Sequence, residues 1–189
     1  MIYGERIRLR RNERADLASF VTWLNDPQVR RYLAQDLPIS MASEEQWFEN
    51  TLKKPVEEQN FSIEIRKEAS EKDGEEWRMI GNCGFMDVDQ IIRSAEVGLF
   101  IGDKSCWNKG FGTEVMRLLL RFGFESLNFN RIFLRVDEAN KGGIHAYEKA
   151  GFILEGHMRQ AVYQAGQYRD LLVMSVIRSE WDPGEQVKA

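Results

Sequence analysis

The chain is poor in sulfur and imidazole: 189 residues include two cysteines, Cys83 and Cys106, and two histidines, His145 and His157. Two isolated cysteines build neither a disulfide framework nor a Cys-x-x-Cys site. So few histidines argue against a clustered metal site, although carboxylates alone can hold a hard cation, and no metal is expected. Basic charge is not in excess, with 26 Lys and Arg against 30 Asp and Glu and a net charge of −4. Without a basic stripe, no direct nucleic-acid partner is expected. No apolar run approaches the roughly 18 residues of a membrane-spanning helix, so no membrane partner is expected either. The start, Met1 to Arg6, lacks the basic-then-apolar order of a secretory signal, and a cytoplasmic address follows by default.

What is present is the composition of a folded protein, 43 % hydrophobic and 11 % aromatic. Repeats, low-complexity stretches and interdomain linkers are absent. One domain over residues 1–182 is expected, with 183–189 frayed beyond Asp182-Pro183-Gly184.

Ile7 to Arg10 alternates apolar and basic residues and reads as a strand. Leu17, Phe20, Val21 and Leu24 recur at helical spacing, predicting a helix from Glu13 to Leu24 capped by Asn12 and stopped at Asp26-Pro27. A second helix is predicted from Ser43, its cap, to about Lys53. Phe61 to Ile65 and Trp77 to Val88 read as a hairpin whose long mobile tip, Lys67 to Glu76, carries the turn signal Asp73-Gly74. A further strand covers Ser94 to Ile101. The rhythm then changes to glycine loop, helix (about Gly110 to Leu127), strand (Ile132 to Val136) and short helix (about Gly142 to Ala150). Two strands joined by a crossover helix should be parallel. Ile153 to Val176 has strand propensity with a turn at Ala165-Gly166-Gln167.

The strongest local signal is Trp107-Asn108-Lys109-Gly110-Phe111-Gly112-Thr113-Glu114, between a strand and a helix. Glycines at 110 and 112 let the backbone approach a ligand, and the first turn of a helix offers unpaired N–H donors at the positive end of its dipole. Such a loop binds a phosphate, with Lys109 adding a charge. The Walker pattern is absent, and the dinucleotide pattern fails at its third glycine, where Val115 stands. A tight strand-to-helix turn with no ligand explains the same residues. Downstream, Asn140 and Tyr147 are two helical turns apart and can share a face on the loop's side of the sheet. As structural residues they would be a helix cap and a half-buried aromatic.

Gly110-Phe111-Gly112-Thr113 opening a helix, followed by Val136-Asp137, Asn140 and Tyr147-Glu148-Lys149-Ala150-Gly151-Phe152, resembles the GNAT superfamily of acetyl-CoA-dependent N-acetyltransferases. Ala95-Glu96-Val97-Gly98 and Gly166-Gln167-Tyr168-Arg169-Asp170 are similar to its ribosomal-protein N-terminal and spermidine/spermine branches. The chain departs from the family's loop in having Trp107 where an arginine or glutamine is usual. The resemblance implies an α+β (mixed α/β) fold: a mixed, mostly antiparallel sheet of six to seven strands with a parallel central pair and helices on both faces.

It also implies direct attack of an amine on the thioester of acetyl-CoA. Asn108, Lys109, Gly110, Phe111, Gly112 and Thr113 would hold the pyrophosphate. Leu99, Phe100 and Ile101 would pair with the pantetheine arm, and Asn140 would hydrogen-bond it. Tyr147 would protonate or stabilise the leaving thiolate. An alkyl ammonium of pKa ~10.4 costs about 4.6 kcal/mol to deprotonate at pH 7, a peptide α-amine near ~8 only about 1.4. Glu96, on the face of Gly98 and Phe100, is the candidate base, or a carboxylate that only orients the amine. The partner would be an amine-bearing acceptor, small molecule or protein N-terminus, and a homodimer is possible for this branch. A CoA-binding module without catalysis and a nucleotide-binding protein are the competing readings. The acidic run Glu44, Glu45, Glu49 reads as a solvated helix face, or as an attractor for a cationic substrate if it lines the cleft.

Overall fold

The computed structural model describes residues 1–33, 37–66 and 77–182; the hairpin tip and the C-terminal tail expected from the sequence lie outside these residues. Strands β1 (Ile2–Tyr3), β2 (Ile7–Arg11), β3 (Phe61–Arg66), β4 (Trp77–Asp89), β5 (Ser94–Ile101), β6 (Arg131–Asp137), β7 (Ile153–Gln164) and β8 (Gln167–Ile177) form one sheet in the order β1-β2-β3-β4-β5-β6-β8-β7. Eight strands among the described residues exceed the six to seven expected. The addition is β1, which pairs Ile2 with Leu9 and Tyr3 with Arg8 and is too short to show a period. Of the strand pairs, β5–β6 is parallel and the others are antiparallel.

Among the described residues five α-helices flank the sheet: α1 (Leu17–Leu24), α2 (Pro27–Arg30), α3 (Met41–Leu52), α4 (Phe111–Arg121) and α5 (Lys141–Lys149). Alternation along β5 separates the two faces. Leu99 and Ile101 pack on the main core with Val115 and Leu119 of α4, whereas Phe100 meets Phe20 of α1 and the cluster around Phe48 of α3. The main core lies between the sheet and α4, where Val115, Leu119 and Leu120 are fully buried.

Three local expectations are corrected. Asn12 does not cap the first helix: a 3-10 turn at Arg14–Asp16 precedes α1, and Glu13 donates its N–H to Asp16 Oδ2 at 2.8 Å. Asn12 is buried instead, and its Oδ1 accepts from Ser62 and Asn82, both at 2.9 Å. The cap of α3 is Ser40, three residues earlier than expected, because Ser40 and Ser43 exchange side-chain-to-backbone bonds in a capping box. The helix beginning at Phe111 is α-helical only to Arg121 and continues as a π turn over Phe122–Ser126. There Gly123 lies against the sheet so closely that a β-carbon would meet Ile132 Cδ1 at 2.5 Å.

The parallel pairing is short. Ser94, Ala95 and Glu96 oppose Arg131, Ile132 and Phe133, and the two strands then part. Each remains paired on its outer side, Leu99 with Cys83 of β4 and Val136 with Leu172 of β8. The sheet therefore contains a fork at its centre, open toward the start of α4.

Candidate active site

At the start of α4 the backbone turns through two left-handed residues, Asn108 (φ 60°) and Gly110 (φ 82°). Gly110 is the cap residue, and a side chain there would be strained. The first amide to reach back, that of Glu114, donates to Gly110 O at 3.1 Å. The N–H groups of Phe111, Gly112 and Thr113 precede it and have no carbonyl within the helix. Arg6, a residue the sequence did not single out, braces the loop from below. Its Nη1 donates to Lys109 O at 3.0 Å, its Nε to Glu114 Oε2 at 2.9 Å, and its guanidinium stacks 4.7 Å from the Phe111 ring centre. Trp107 has a structural use: its indole Nε1 donates to Ile101 O at 2.8 Å, tying the end of β5 to the loop.

A cleft of about 880 Å³ runs from this loop to the fork. Leu99, Phe100, Ile101, Asn108, Gly110, Phe111, Gly112, Thr113, Asn140 and Tyr147 all line it, so the structure brings together nearly every residue expected at a coenzyme site. Lys109 is the exception: it is exposed and does not line the cleft. Arg31, Lys141 and Lys149 line it instead, and among the described residues no carboxylate does. Lys141 and Lys149 are the first and last residues of α5 and Arg31 follows α2, so no short motif marks the three as a set in the sequence.

Asn140 caps α5, its Oδ1 accepting from Gly143 N at 3.0 Å. Two turns on, the half-buried Tyr147 ring packs on the main core with its centre 6.1 Å from that of Phe152. Burial pushes its phenol up to about 12, and its hydroxyl has no hydrogen-bond partner among the described residues. A neutral phenol with a free O–H therefore stands at the wall of the cleft.

On the fork's other side is a cavity of about 290 Å³, lined by Tyr32, Asn60, Asn82, Met86, Glu96 and Arg135 among others, and shared at its rim with Asn140 and Tyr147. Glu96 is 6 % exposed and is held in a two-point pair, Arg135 Nε to Oε1 at 2.9 Å and Nη2 to Oε2 at 2.5 Å. The same bond is the main cause holding the Arg135 guanidinium above its ordinary range. Arg135 lies two residues beyond the last parallel pair, Glu96 with Phe133, so the ion pair spans the point where the strands separate. Alternating Arg131, Phe133 and Arg135 along β6 was the available sequence signal for it.

Asn60 and Asn82 belong to a buried polar chain. Asn60 Nδ2 donates to Asn82 Oδ1 at 3.1 Å and Asn82 Nδ2 to Asn12 Oδ1. Ser62 links Asn12 to Asp16, whose carboxylate takes two bonds from Arg10. Those bonds outweigh burial and hold the Asp16 carboxyl below its usual range.

The α3 acids do not form a cleft wall. None of the three lines either cavity; Glu44 is buried, which pushes its carboxyl up, and Glu49 pairs with Arg14. Among the described residues one group of metal-ligating types converges, Glu138, His157 and Asp170. His157 Nε2 stands 3.3 Å from Glu138 Oε2 and 3.0 Å from Asp170 Oδ2, the arrangement of one imidazole N–H shared between two carboxylates.

The family model described as an acetyltransferase (GNAT) domain matches residues 6–153. The uncharacterized N-acetyltransferase p20 of Bacillus licheniformis is 32 % identical over 182 residues, 95 % of this chain and 97 % of its own length. The spermidine N(1)-acetyltransferase of Escherichia coli K12 is 28 % identical over 181 residues, 93 % of this chain and 88 % of its own. Among solved structures, the spermidine N-acetyltransferase of Vibrio cholerae in complex with CoA and spermine superposes with a TM-score of 0.81 at 26 % identity, covering 94 % of this chain and 98 % of the other.

Proposed function

The chain belongs to the GNAT acetyltransferase family, and on that premise we propose that it moves an acetyl group from acetyl-CoA directly to a primary amine, without an acyl-enzyme. The observation that carries this reading is the conjunction at one cleft of the open amides of α4, the parted edge of β5 and the Tyr147 hydroxyl. The amides of Phe111, Gly112 and Thr113 hold the pyrophosphate. Arg31, Lys141 and Lys149 add the charge that Lys109 was expected to supply, in a cleft with no carboxylate among its described lining residues. The edge of β5 from Leu99 to Ile101, which has no neighbouring strand on the β6 side and carries the Trp107 bond at Ile101 O, takes the amides of the pantetheine arm as it would take a strand, and Asn140 hydrogen-bonds the same arm.

The chemistry then sits at the fork. As the C–N bond forms and the C–S bond breaks, Tyr147 donates a hydrogen bond to the sulfur. Its pKa of about 12 lies above the ~8.5 of a thiol, so complete proton transfer would run uphill by roughly 5 kcal/mol. Tyr147 therefore stabilises the thiolate, which takes its proton from the still-protonated, cationic nitrogen of the adduct as the amide forms, or from water. Glu96 accepts a hydrogen bond from the incoming nitrogen. Because protonating Glu96 would leave the Arg135 charge without its partner, the amine's own proton goes to solvent through a water.

Two measurements test the reading. Titration with CoA in a calorimeter should give saturable binding, and incubation with acetyl-CoA and a panel of α-amines and alkyl amines should release free thiol. Binding without thiol release from any amine would leave a CoA-binding module. Tighter binding of ATP or NAD than of CoA would end the coenzyme assignment.

A further inference from the structure

We propose that Arg135 selects the acceptor: an amine with a carbonyl or carboxylate oxygen next to its amino-bearing carbon, as in a peptide N-terminus or an amino-acid amide, and not a polyamine. The inference rests on the acetyl-transfer reading and narrows the substrate of that same site.

The argument begins with charge. Among the described residues lining the smaller cavity, Glu96 is the one acid and Arg135 the one base, and they are joined at two points. The pocket is therefore neutral overall. A polyamine carries several ammonium groups strung along an alkyl chain. Once Glu96 has taken the reacting nitrogen, the described residues of this lining offer no second carboxylate for the next one, and a guanidinium stands in its place. Asp87 lies beside Arg135, 3.9 Å from Nη2, but it is 73 % exposed and outside the lining, so its charge is largely screened.

Hydrogen-bonding capacity gives the second half. Arg135 spends Nε and Nη2 on Glu96, and Nη1 has no protein partner among the described residues. The side chain is 44 % exposed and lines the cavity, so a donor remains for an acceptor oxygen. Glu96 and Arg135 thus present one hydrogen-bond acceptor and one donor side by side. An α-amine and its neighbouring carbonyl oxygen present the matching donor and acceptor. Asn60 and Asn82 leave the floor of the pocket polar but uncharged, and their orientation is fixed by the bonds from Asn82 to Asn12 and from Asn60 to Asn82. Such a floor suits a peptide bond better than a second cation.

The test compares kcat/KM for a short peptide with a free N-terminus, for alanine amide and for spermidine, in the wild type and in Arg135→Leu and Arg135→Lys. The wild type should favour the peptide and the amide over spermidine by at least tenfold. Arg135→Leu should raise KM for the α-amines and improve spermidine, shrinking that ratio at least tenfold, with CoA affinity unchanged. Arg135→Lys, which keeps the charge but loses the planar fork, should fall between them. Peptide favoured over alanine amide would indicate a protein acceptor; equal rates would indicate a small one, and either agrees with the inference. Wild-type preference for spermidine, or a ratio untouched in both variants, overturns the inference and leaves acetyl transfer standing. Absence of thiol release from every amine overturns both.

Discussion

Replacing Tyr147 by Phe separates chemistry from architecture better than any other single change in this molecule. The ring packs on the main core and lies 6.1 Å from Phe152, contacts that phenylalanine reproduces. The hydroxyl has no partner among the described residues, so its removal strands no buried donor or acceptor. The expected stability change is therefore within about 0.5 kcal/mol, the range of substitutions that break no named interaction. The kinetic effect should be much larger. A preorganised donor aimed at developing charge contributes about 2.7–4 kcal/mol, or roughly 10²–10³ in kcat. Thiol release under saturating acetyl-CoA would give kcat, calorimetry the CoA affinity, and a thermal melt the stability. The expected result is a kcat lower by two to three orders of magnitude at unchanged affinity and melting temperature. Wild-type turnover in Tyr147→Phe would remove the phenol from the mechanism. The pH profile offers a second check. The neutral phenol is the active form and its pKa is raised to about 12, so activity carried by it persists through pH 10, where an ordinary tyrosine of pKa ~10 would be half ionised.

Gly110→Ala forces a β-carbon into a left-handed cap at φ 82°, at a cost of about 1–2 kcal/mol. Gly112→Ala meets only Ala146 Cβ at 3.9 Å, an ordinary contact, and should leave the melting temperature unchanged. Equal melting temperatures for the two variants would refute the loop's strain. The Glu155 carboxyl is held down to about 2, first by its hydrogen bond from Arg131 and then, against some burial, by that from Ser175. A depressed carboxyl stabilises the fold fully above its unfolded pKa of ~4.3 and loses that contribution as pH falls toward the folded value. In Glu155→Gln, urea midpoints should therefore fall less than in the wild type between pH 5 and pH 2; parallel curves would show that the pair contributes nothing.

The parts of the fold legible in the sequence were those written in local periodicity. Phe61 to Ile65 was bounded to within one residue of β3 because apolar and polar residues alternate cleanly along it. The glycine loop was legible because a left-handed cap and open amides are properties of a few consecutive residues. Position along the chain said less about capping: Asn12 and Ser43 have capping chemistry, yet Asn12 is drawn into the buried chain with Ser62 and Asn82, and Ser43 answers Ser40 from inside the helix. The π turn after Arg121 depends on how closely Gly123 approaches Ile132, a contact between distant segments. The same distance in sequence concealed Arg6, Arg31 and Arg135. Arg6 acts through the loop it braces, Arg31 meets the cleft only once the chain has folded, and Arg135 changes the meaning of Glu96 only after the sheet has brought β5 and β6 together.

Because only three residue pairs join β5 to β6, the backbone ladder is thin at the middle of the sheet. The polypeptide on either side forms a block with its own continuous hydrogen bonding, β1 through β5 on one hand and β6 with β8 and β7 on the other. A molecule that lies in the gap and bonds to both strands supplies rungs that the chain itself omits, so it splints one block to the other. At a hundred times its dissociation constant such a splint adds about 2.7 kcal/mol to the unfolding free energy. Amide exchange across Val97 to Ile101 should then slow in proportion to occupancy, making the rigidity of the sheet a readout of how much coenzyme the solution holds.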